Sequence, residues 1–588
     1  TPPIARADLY RGLSELKGSI DRWRERCDQG ADQRAELAEL ICTQAMELDL
    51  VDVDDAAWNS DPDAHIERLR LALIELEETL IPYGLHVVGE APSREQRIDM
   101  LQALVQASHE VQLEPGVIEA LIDGKSPQEA LAGAGLQTEE ALVAVCSELA
   151  ATDKLLAQDH ELEAMLRALD GRFIPPAPGG DLLRNPAILP TGRNLHGFDP
   201  FRLPSTFAIQ DGGRQAQRLL QRHHDEGNAL PESIALVLWG TDNLKTEGGP
   251  IAQALALMGA KPRFDSYGRV AGASLIPLEE LGRPRIDVVM TLSGIFRDLL
   301  PLQTKLLAEA AYLAAATDES PEQNFVRKHA LAYQAQHDCD LETAALRVFS
   351  NAEGAYGSNV NMLVDNSRWD DEDELAETYT QRKSFAYGRS GKPTQQAALL
   401  DDMLAGVQLA YQNLDSVELG ITTVDHYFDT LGGISRAVRR SSGKEIPVYI
   451  SDQTSGDGKV RTLTEQVALE TRTRMLNPKW YEGILEHGYE GVRQIESHVT
   501  NTVGWSATTG QVAPWVYEGL SNTFIIDDAM RERLASLNPT ASVKVAHRLL
   551  EAHERQYWNP DDATLDALRR AGEDLEDRLE GITQEVAA

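Results

Sequence analysis

The sequence predicts a multidomain α/β protein, with a helical N-terminal part, parallel-sheet α/β domains in the middle and a helical C-terminus. Three observations predict it. Residues 8–50 and 66–81 carry Leu, Ala, Glu and Arg at helical spacing. Two short apolar runs, Ser233–Gly240 and Arg285–Gly294, are separated by a helical stretch, which is the alternation of a βαβ unit. The chain has 588 residues, too many for one hydrophobic core.

Taken in order, residues 1–90 read as the helical continuation of an upstream domain. The opening Thr1-Pro2-Pro3-Ile4-Ala5-Arg6 has neither an initiator Met nor a signal-peptide pattern, so the chain is expected to be a piece of something longer. Residues 91–173 read as a helical domain, interrupted at Asp123–Pro127 and Gly133–Gly135. The cluster Ile174–Gly180 cannot continue a helix and marks a boundary. Residues 174–345 read as one α/β domain, with strands at Ser233–Gly240 and Arg285–Gly294 and helices at Pro250–Met258 and on to Thr317. Residues 346–540 read as a second α/β domain with Gly/Asn-rich loops, holding a third strand at Ile446–Ile450 and an acidic helix start at Trp369–Glu377. Residues 541–588 close the chain as a helical segment with Glu/Arg pairs at helical spacing.

Composition narrows the function. There are 93 acidic against 55 basic residues, a formal net charge of −38, and such a surface repels phosphate backbones and anionic lipid. No run of about eighteen apolar residues is present to span a membrane. Cys27, Cys42, Cys146 and Cys339 form no CxxC pair, which argues against a zinc site or a disulfide framework and fits a reducing cytoplasm. The patterns GxxxxGK[ST], GxGxxG after a strand, GxSxG and HExxH are all absent, so no P-loop for ATP is expected here.

What remains are islands of polar, aromatic and Gly residues. In open α/β sheets ligands sit beyond the carboxyl ends of the strands, here Trp239–Asn243 and Leu292–Asp298. Pro190–Pro200 presents Arg193, Asn194 and His196 on a turn-rich loop. Asp242–Gly249 holds two carboxylates and a Lys, though Asp242 or Thr246 serves equally as a helix cap. Ser350–Asn361 combines glycines, which let a backbone approach a flat ligand, with Glu353, Asn359 and Asn361, hard oxygen donors of the kind Mg²⁺ takes; the same residues also make ordinary turns. Asp425-His426-Tyr427-Phe428-Asp429 flanks a His with two carboxylates, a proton-relay pattern or a structural hydrogen-bonding His. Trp480, Tyr481 and Trp505 offer stacking faces, or core volume.

These islands resemble the H subunits of magnesium chelatase. The resemblance runs through Pro190–His196, Leu238–Lys245, Glu280–Asp287, Ser293–Asp298, Asn324–His329, Arg347–Asn361, Leu476–Gly483 and Asn501–Gln511. Cobaltochelatase large subunits share Pro190–Asn194, Phe296–Asp298 and Asn477–Trp480, while Ser358–Asn361, Tyr411–Ser416 and Thr502–Ala507 look like the magnesium branch. Glu247–Gly249 and Phe385–Gly388 look like its bacterial, bacteriochlorophyll-making members. The resemblance implies a protein that binds protoporphyrin IX and receives Mg²⁺ as substrate. A separate AAA+ motor subunit and its partner would hydrolyse ATP, and the upstream half of the same polypeptide would supply two acidic motifs that precede Thr1. It further implies His196, Glu353, Asp425, His426 and Asp429 as proton and metal handlers, with Asn359 and Asn361 beside the metal. Arg193, Asn194, Trp480 and Trp505 would hold the porphyrin. Cobalt insertion into a corrin precursor, or tetrapyrrole binding without catalysis, are the alternatives.

Overall fold

The protein is described by a computed structural model that covers residues 1–25, 31–51, 58, 61–108, 111, 113–177, 180, 182–194, 198–454 and 456–581. Two compact units emerge. One comprises residues 1–159, 468–497 and 513–588, the other residues 160–467 and 498–512.

In the first unit Ile4–Arg6 pairs antiparallel with Leu80–Pro82. Helices Arg11–Glu25 and Pro62–Glu78 turn Leu13, Leu16, Ile66 and Leu73 into a shared core with Ile41. These are the one-face apolar residues that the helical spacing promised. Helices Pro539–Glu554 and Asp562–Leu579 belong to the same unit. The expected divisions at residues 90 and 540 are thus replaced by one unit assembled from both ends of the chain.

The second unit is built on an eight-stranded sheet: β1 Ser233–Leu238, β2 Asp287–Leu292, β3 Val348–Ser350, β4 Phe385–Tyr387, β5 Pro393–Gln395, β6 Leu409–Leu414, β7 Val448–Asp452 and β8 Lys459–Thr462. The spatial order is β8-β7-β6-β1-β2-β3-β4-β5. The inner five strands, β7 to β3, are parallel, and β8, β4 and β5 are added antiparallel at the edges. Since strands from both sides of residue 345 share this sheet, the expected boundary between two α/β domains is absent. Every residue of β1, β2 and β6 is buried, which is why the first two read as continuous apolar runs rather than alternating ones. Helices α1 Thr206–Asp225, α2 Gly249–Met258 and α3 Pro301–Ala316 contribute to this core. Their starts follow from local chemistry: the Ser205 side chain caps Ala208 N and proline opens the other two. The acidic segment expected to start a helix does so as α4 Glu372–Lys383, with Asp371 and Glu374 forming a capping box.

At the amino end of β2, Asp287 is 1% exposed and is compensated twice. Arg347 Nε donates to Oδ1 at 2.6 Å and His329 Nδ1 lies 2.9 Å from Oδ2. Those charges hold the Asp287 carboxyl below its usual range against the opposing effect of burial. Among the described residues no helix is long and apolar enough to cross a membrane. Cys42, Cys146 and Cys339 are in no disulfide among the described residues, and Cys27 lies outside them.

Breaking a buried pair leaves an uncompensated charge, so Arg347→Met should lower stability by about 3–5 kcal/mol, read as a reduced urea midpoint. Asp287→Asn combined with Arg347→Met should lose less than the single Arg347 change.

Candidate functional site

Because β1 and β2 are buried along their length, a ligand can reach only the residues that follow their carboxyl ends, and a cleft of about 200 Å³ forms there. Trp239, Gly240 and Thr241 line it from the end of β1, and Ser293, Gly294 and Ile295 from the end of β2. The loop after β3 adds Tyr356 and Gly357, the end of α4 adds Lys383, and the segment after β6 adds Val424, His426, Tyr427 and Thr430. Tight packing favours glycine at two of these positions. A Cβ on Gly240 would lie 2.6 Å from Phe296 N, and one on Gly294 would lie 2.2 Å from the Tyr356 ring. Ser293 Oγ ties the two strand ends together, accepting from Gly240 N and Phe296 N at 3.1 Å each. Trp239 meets Tyr427 edge-on at 5.2 Å and donates from Nε1 to Gln412 Oε1 at 3.1 Å.

The loop after β3 is held from two sides. Arg297, 6% exposed, donates from Nη1 to the carbonyls of Ala352 at 2.6 Å and Ala355 at 2.9 Å, and from Nε to Asp298 at 2.7 Å. Asp429, fully buried, accepts from Ser358 N at 2.6 Å and Asn361 N at 3.1 Å, with Ser358 Oγ 2.7 Å away. Asp429 lies in a single π-helical turn, Phe428–Gly432, a distortion frequent at functional sites. Asn361 Nδ2 reaches Asp425 Oδ2 at 2.5 Å.

The residues expected from sequence divide accordingly. His426 is exposed and lines the cleft, while Asp425 and Asp429 brace it through the loop. Glu353 is exposed at the tip of the same loop and is not part of the lining. Asn359 turns its side-chain oxygen to Arg382 Nε at 3.2 Å and Asn361 Oδ1 accepts from Met362 N at 2.9 Å. Both oxygens are therefore engaged with protein donors. Among the described residues no three His, Cys, Asp or Glu side chains converge to hold a metal. Arg193 spends its guanidinium on its own loop, donating to Pro190 O at 3.0 Å and Leu189 O at 3.1 Å. Asn194 pairs its backbone with Pro175 and Ala177 and leaves its side chain at the surface. His196 lies outside the described residues. Trp480 and Trp505 correct the expectation of stacking platforms: they are 2% and 0% exposed, and Trp505 Nε1 donates to Ile421 O at 2.8 Å. A ring enclosed on both faces by protein has no face left for a macrocycle.

Two features escaped the sequence. Lys383 is 1% exposed at the floor of the cleft. A lysine near the end of a charged helix, Glu372–Lys383, reads as a surface residue, and nothing local marks it otherwise. The second is a buried pair of carboxyls. Strand order turns between β1 and β6, since β2 and β3 lie to one side of β1 and β6 and β7 to the other. At that switch point Asp242 follows β1 and Asp415 follows β6, exposed by only 3% and 2%. Asp415 Oδ1 accepts from Arg184 Nη1 at 2.8 Å, and the Oδ2 atoms of both acids have no hydrogen-bond partner among the described residues. Burial first, then the neighbouring Asp415 charge, pushes Asp242 up to about 8.

That shift fixes a sign. Below about pH 4 the Asp242 carboxyl is protonated folded or unfolded. From there to about 8 the folded chain keeps a proton that the unfolded chain has released, so stability falls as pH rises through this window and levels above it. Asp242→Asn should therefore be more stable than the parent at pH 8.5, by about 1–3 kcal/mol, with the difference closing by pH 4.5. Urea midpoints at the two pH values read it directly.

Comparison with known proteins places this architecture. The family profile described as CobN/Magnesium Chelatase matches residues 1–151 and 112–565. The chain is 58% identical, over its whole length and 45% of the relative's, to the magnesium-chelatase H subunit of Cereibacter sphaeroides. It is 37% identical to the chloroplastic magnesium-chelatase ChlH subunit of Oryza sativa subsp. indica, over 99% of this chain and 47% of that one. It is 30% identical to the aerobic cobaltochelatase CobN subunit of a Sinorhizobium species, over 95% of this chain and 50% of that one. The solved catalytic subunit of cobaltochelatase from Mycobacterium tuberculosis superimposes with a TM-score of 0.88 at 33% identity, covering 98% of this chain and 52% of that one. The chain thus spans about half the length of these relatives. The profile match and the identity along the whole chain make it a member of the CobN/magnesium chelatase family.

Proposed function

We propose that this chain is the C-terminal part of the porphyrin-binding H subunit of a cytoplasmic magnesium chelatase, a ligase that inserts Mg²⁺ into protoporphyrin IX for bacteriochlorophyll synthesis. The observation that carries the reading is the 58% identity to a magnesium-chelatase H subunit along the whole chain, against 30% to a cobaltochelatase relative. The missing GxxxxGK[ST] pattern supports leaving ATP to an AAA+ motor subunit and its partner. The upstream half of the same polypeptide completes the site.

The chemistry asks for a flat ring to be held, two pyrrole N–H protons to be removed and Mg²⁺ to shed water. At about 200 Å³ the cleft is smaller than the ~300–1,000 Å³ of sites that enclose a whole drug-sized ligand, so it takes only part of the macrocycle, one pyrrole ring with its face toward the floor. Its apolar walls, Trp239, Ile295, Val424 and Tyr427, suit that ring. His426 at the mouth passes protons, with Asp425 and Asp429 positioning the loop beside it. Glu353 meets the ion, His196 is a further proton handler, and Asn194 serves the ring's carboxylates. Asn359 and Asn361 act through the loop they brace.

Fluorescence titration with deuteroporphyrin IX tests this on the chain alone and with the upstream half. Saturable binding is expected when both halves are present. His426→Ala in the full-length protein should slow Mg²⁺ insertion at least about tenfold, while the dissociation constant stays within about threefold. No binding in either preparation would refute the tetrapyrrole reading, and insertion of Co²⁺ in preference to Mg²⁺ would move the chain to the cobalt branch.

A further inference from the structure

Lys383 is a buried amine with no salt bridge among the described residues, at the floor of the cleft. Its Nζ donates to Asn351 Oδ1 at 2.8 Å and lies 3.4 Å from Leu292 O, both neutral acceptors. Charged and titratable groups face it from each neighbouring element. Asp429, on the π-helical turn, favours the ammonium, but its oxygens are already occupied by Ser358 and Asn361. Arg297 opposes the ammonium. The Tyr379 hydroxyl, on the same helix as Lys383, is 3.0 Å from Thr291 Oγ1, and His426 stands at the cleft mouth. Desolvation dominates, and it lowers the amine to about 8. A lysine so placed is partly neutral near neutral pH and has a lone pair to offer inside an apolar site.

We propose that Lys383 is a catalytic proton acceptor, its amine taking the N–H proton of the ring nitrogen lodged in this cleft. The proposal rests on the tetrapyrrole reading above. In the step, a ring N–H bond breaks and its electron pair stays on nitrogen, while an Nζ–H bond forms and the amine becomes ammonium. The proton then leaves to water at the mouth, where His426 is exposed. Two such passages release two protons, and the ring dianion takes up Mg²⁺, so charge balances over the reaction. Asn351 Oδ1 and Leu292 O receive the new ammonium, which requires no side chain to move.

The test begins with a readout independent of activity. In the full-length protein, pulses of acetic anhydride between pH 6.5 and 10.5, with the Lys383 peptide quantified by mass spectrometry, should give half-maximal labelling near pH 8. Deuteroporphyrin should protect the site about fivefold or more, as expected when ligand fills a cleft this small. A labelling midpoint at or above about 10, the value of an ordinary lysine, overturns the proposal. Chelation assays with the other subunits add a second arm. Lys383→Met and Lys383→Arg should each cut the insertion rate about a hundredfold with porphyrin affinity within about threefold, and both should lose the limb of the pH profile that rises through 8. Lys383→Arg keeps the charge but cannot act as a base, so a near-normal rate in that variant also overturns it. A full-length parent that fails to bind deuteroporphyrin sinks the tetrapyrrole reading and this proposal with it. One that binds deuteroporphyrin while Lys383 stays unprotected sinks this proposal alone.

Discussion

A sheet covered on both faces leaves groups open to a ligand only where its strands stop, and the second unit follows from that constraint. β1, β2 and β6 are buried at every residue, so no side chain along their length can meet a ligand. Trp239–Asp242, Ser293–Ile295 and Asp415 are the first residues past those strands, and they form the cleft and the buried acidic pair. The parallel direction of the inner strands puts these ends on one edge. Loops arriving from residues as distant as 356 and 426 then have a single place to converge.

The buried charges of this unit are handled in different ways. Asp287 is paired with Arg347 and His329. Asp429 has no ionic partner in hydrogen-bond contact among the described residues but is saturated by Ser358 and Asn361 donors, and Arg297 is met by carbonyls and Asp298. In these cases the charge is compensated and the group acts as a fastener. Asp242 and Lys383 are neither paired nor saturated, and burial moves both toward their neutral forms. Groups whose protonation is adjustable near neutral pH thus sit at the strand ends, while the fixed ions hold the frame around them.

Much of the frame was legible beforehand. Ser233–Gly240 and Arg285–Gly294 announced β1 and β2 because full burial selects uninterrupted apolar residues. The acidic run Trp369–Glu377 announced the start of α4. β6 went unread because Gln412 and Asn413 interrupt its apolar pattern, and tertiary partners meet them, Trp239 at the Gln412 oxygen and Gln215 and Gln253 at the Asn413 amide. The loops at Ser350–Asn361 and Asp425–Asp429 were identified as functional islands, but which of their side chains face the cleft was not. Asp429 points into the protein and His426 out of it, although they are three residues apart. Trp480 and Trp505 show the converse. Aromatic residues in polar-looking segments resemble stacking platforms, yet their large apolar area makes burial the stronger demand.

By itself the sequence determined the α/β class, the two central strands, the acidic start of α4 and the polar loops that follow the strands. Each of these depends on residues close together in the chain, where periodicity and capping chemistry act. The sheet order, the single unit that absorbs both sides of residue 345, the burial of Lys383 and the meeting of Asp242 with Asp415 were decided by tertiary structure. The reason is desolvation. A lysine or an aspartate carries the same local signature on a surface and in a core, and only the packing of distant segments around it sets how much water it keeps and so whether it stays charged.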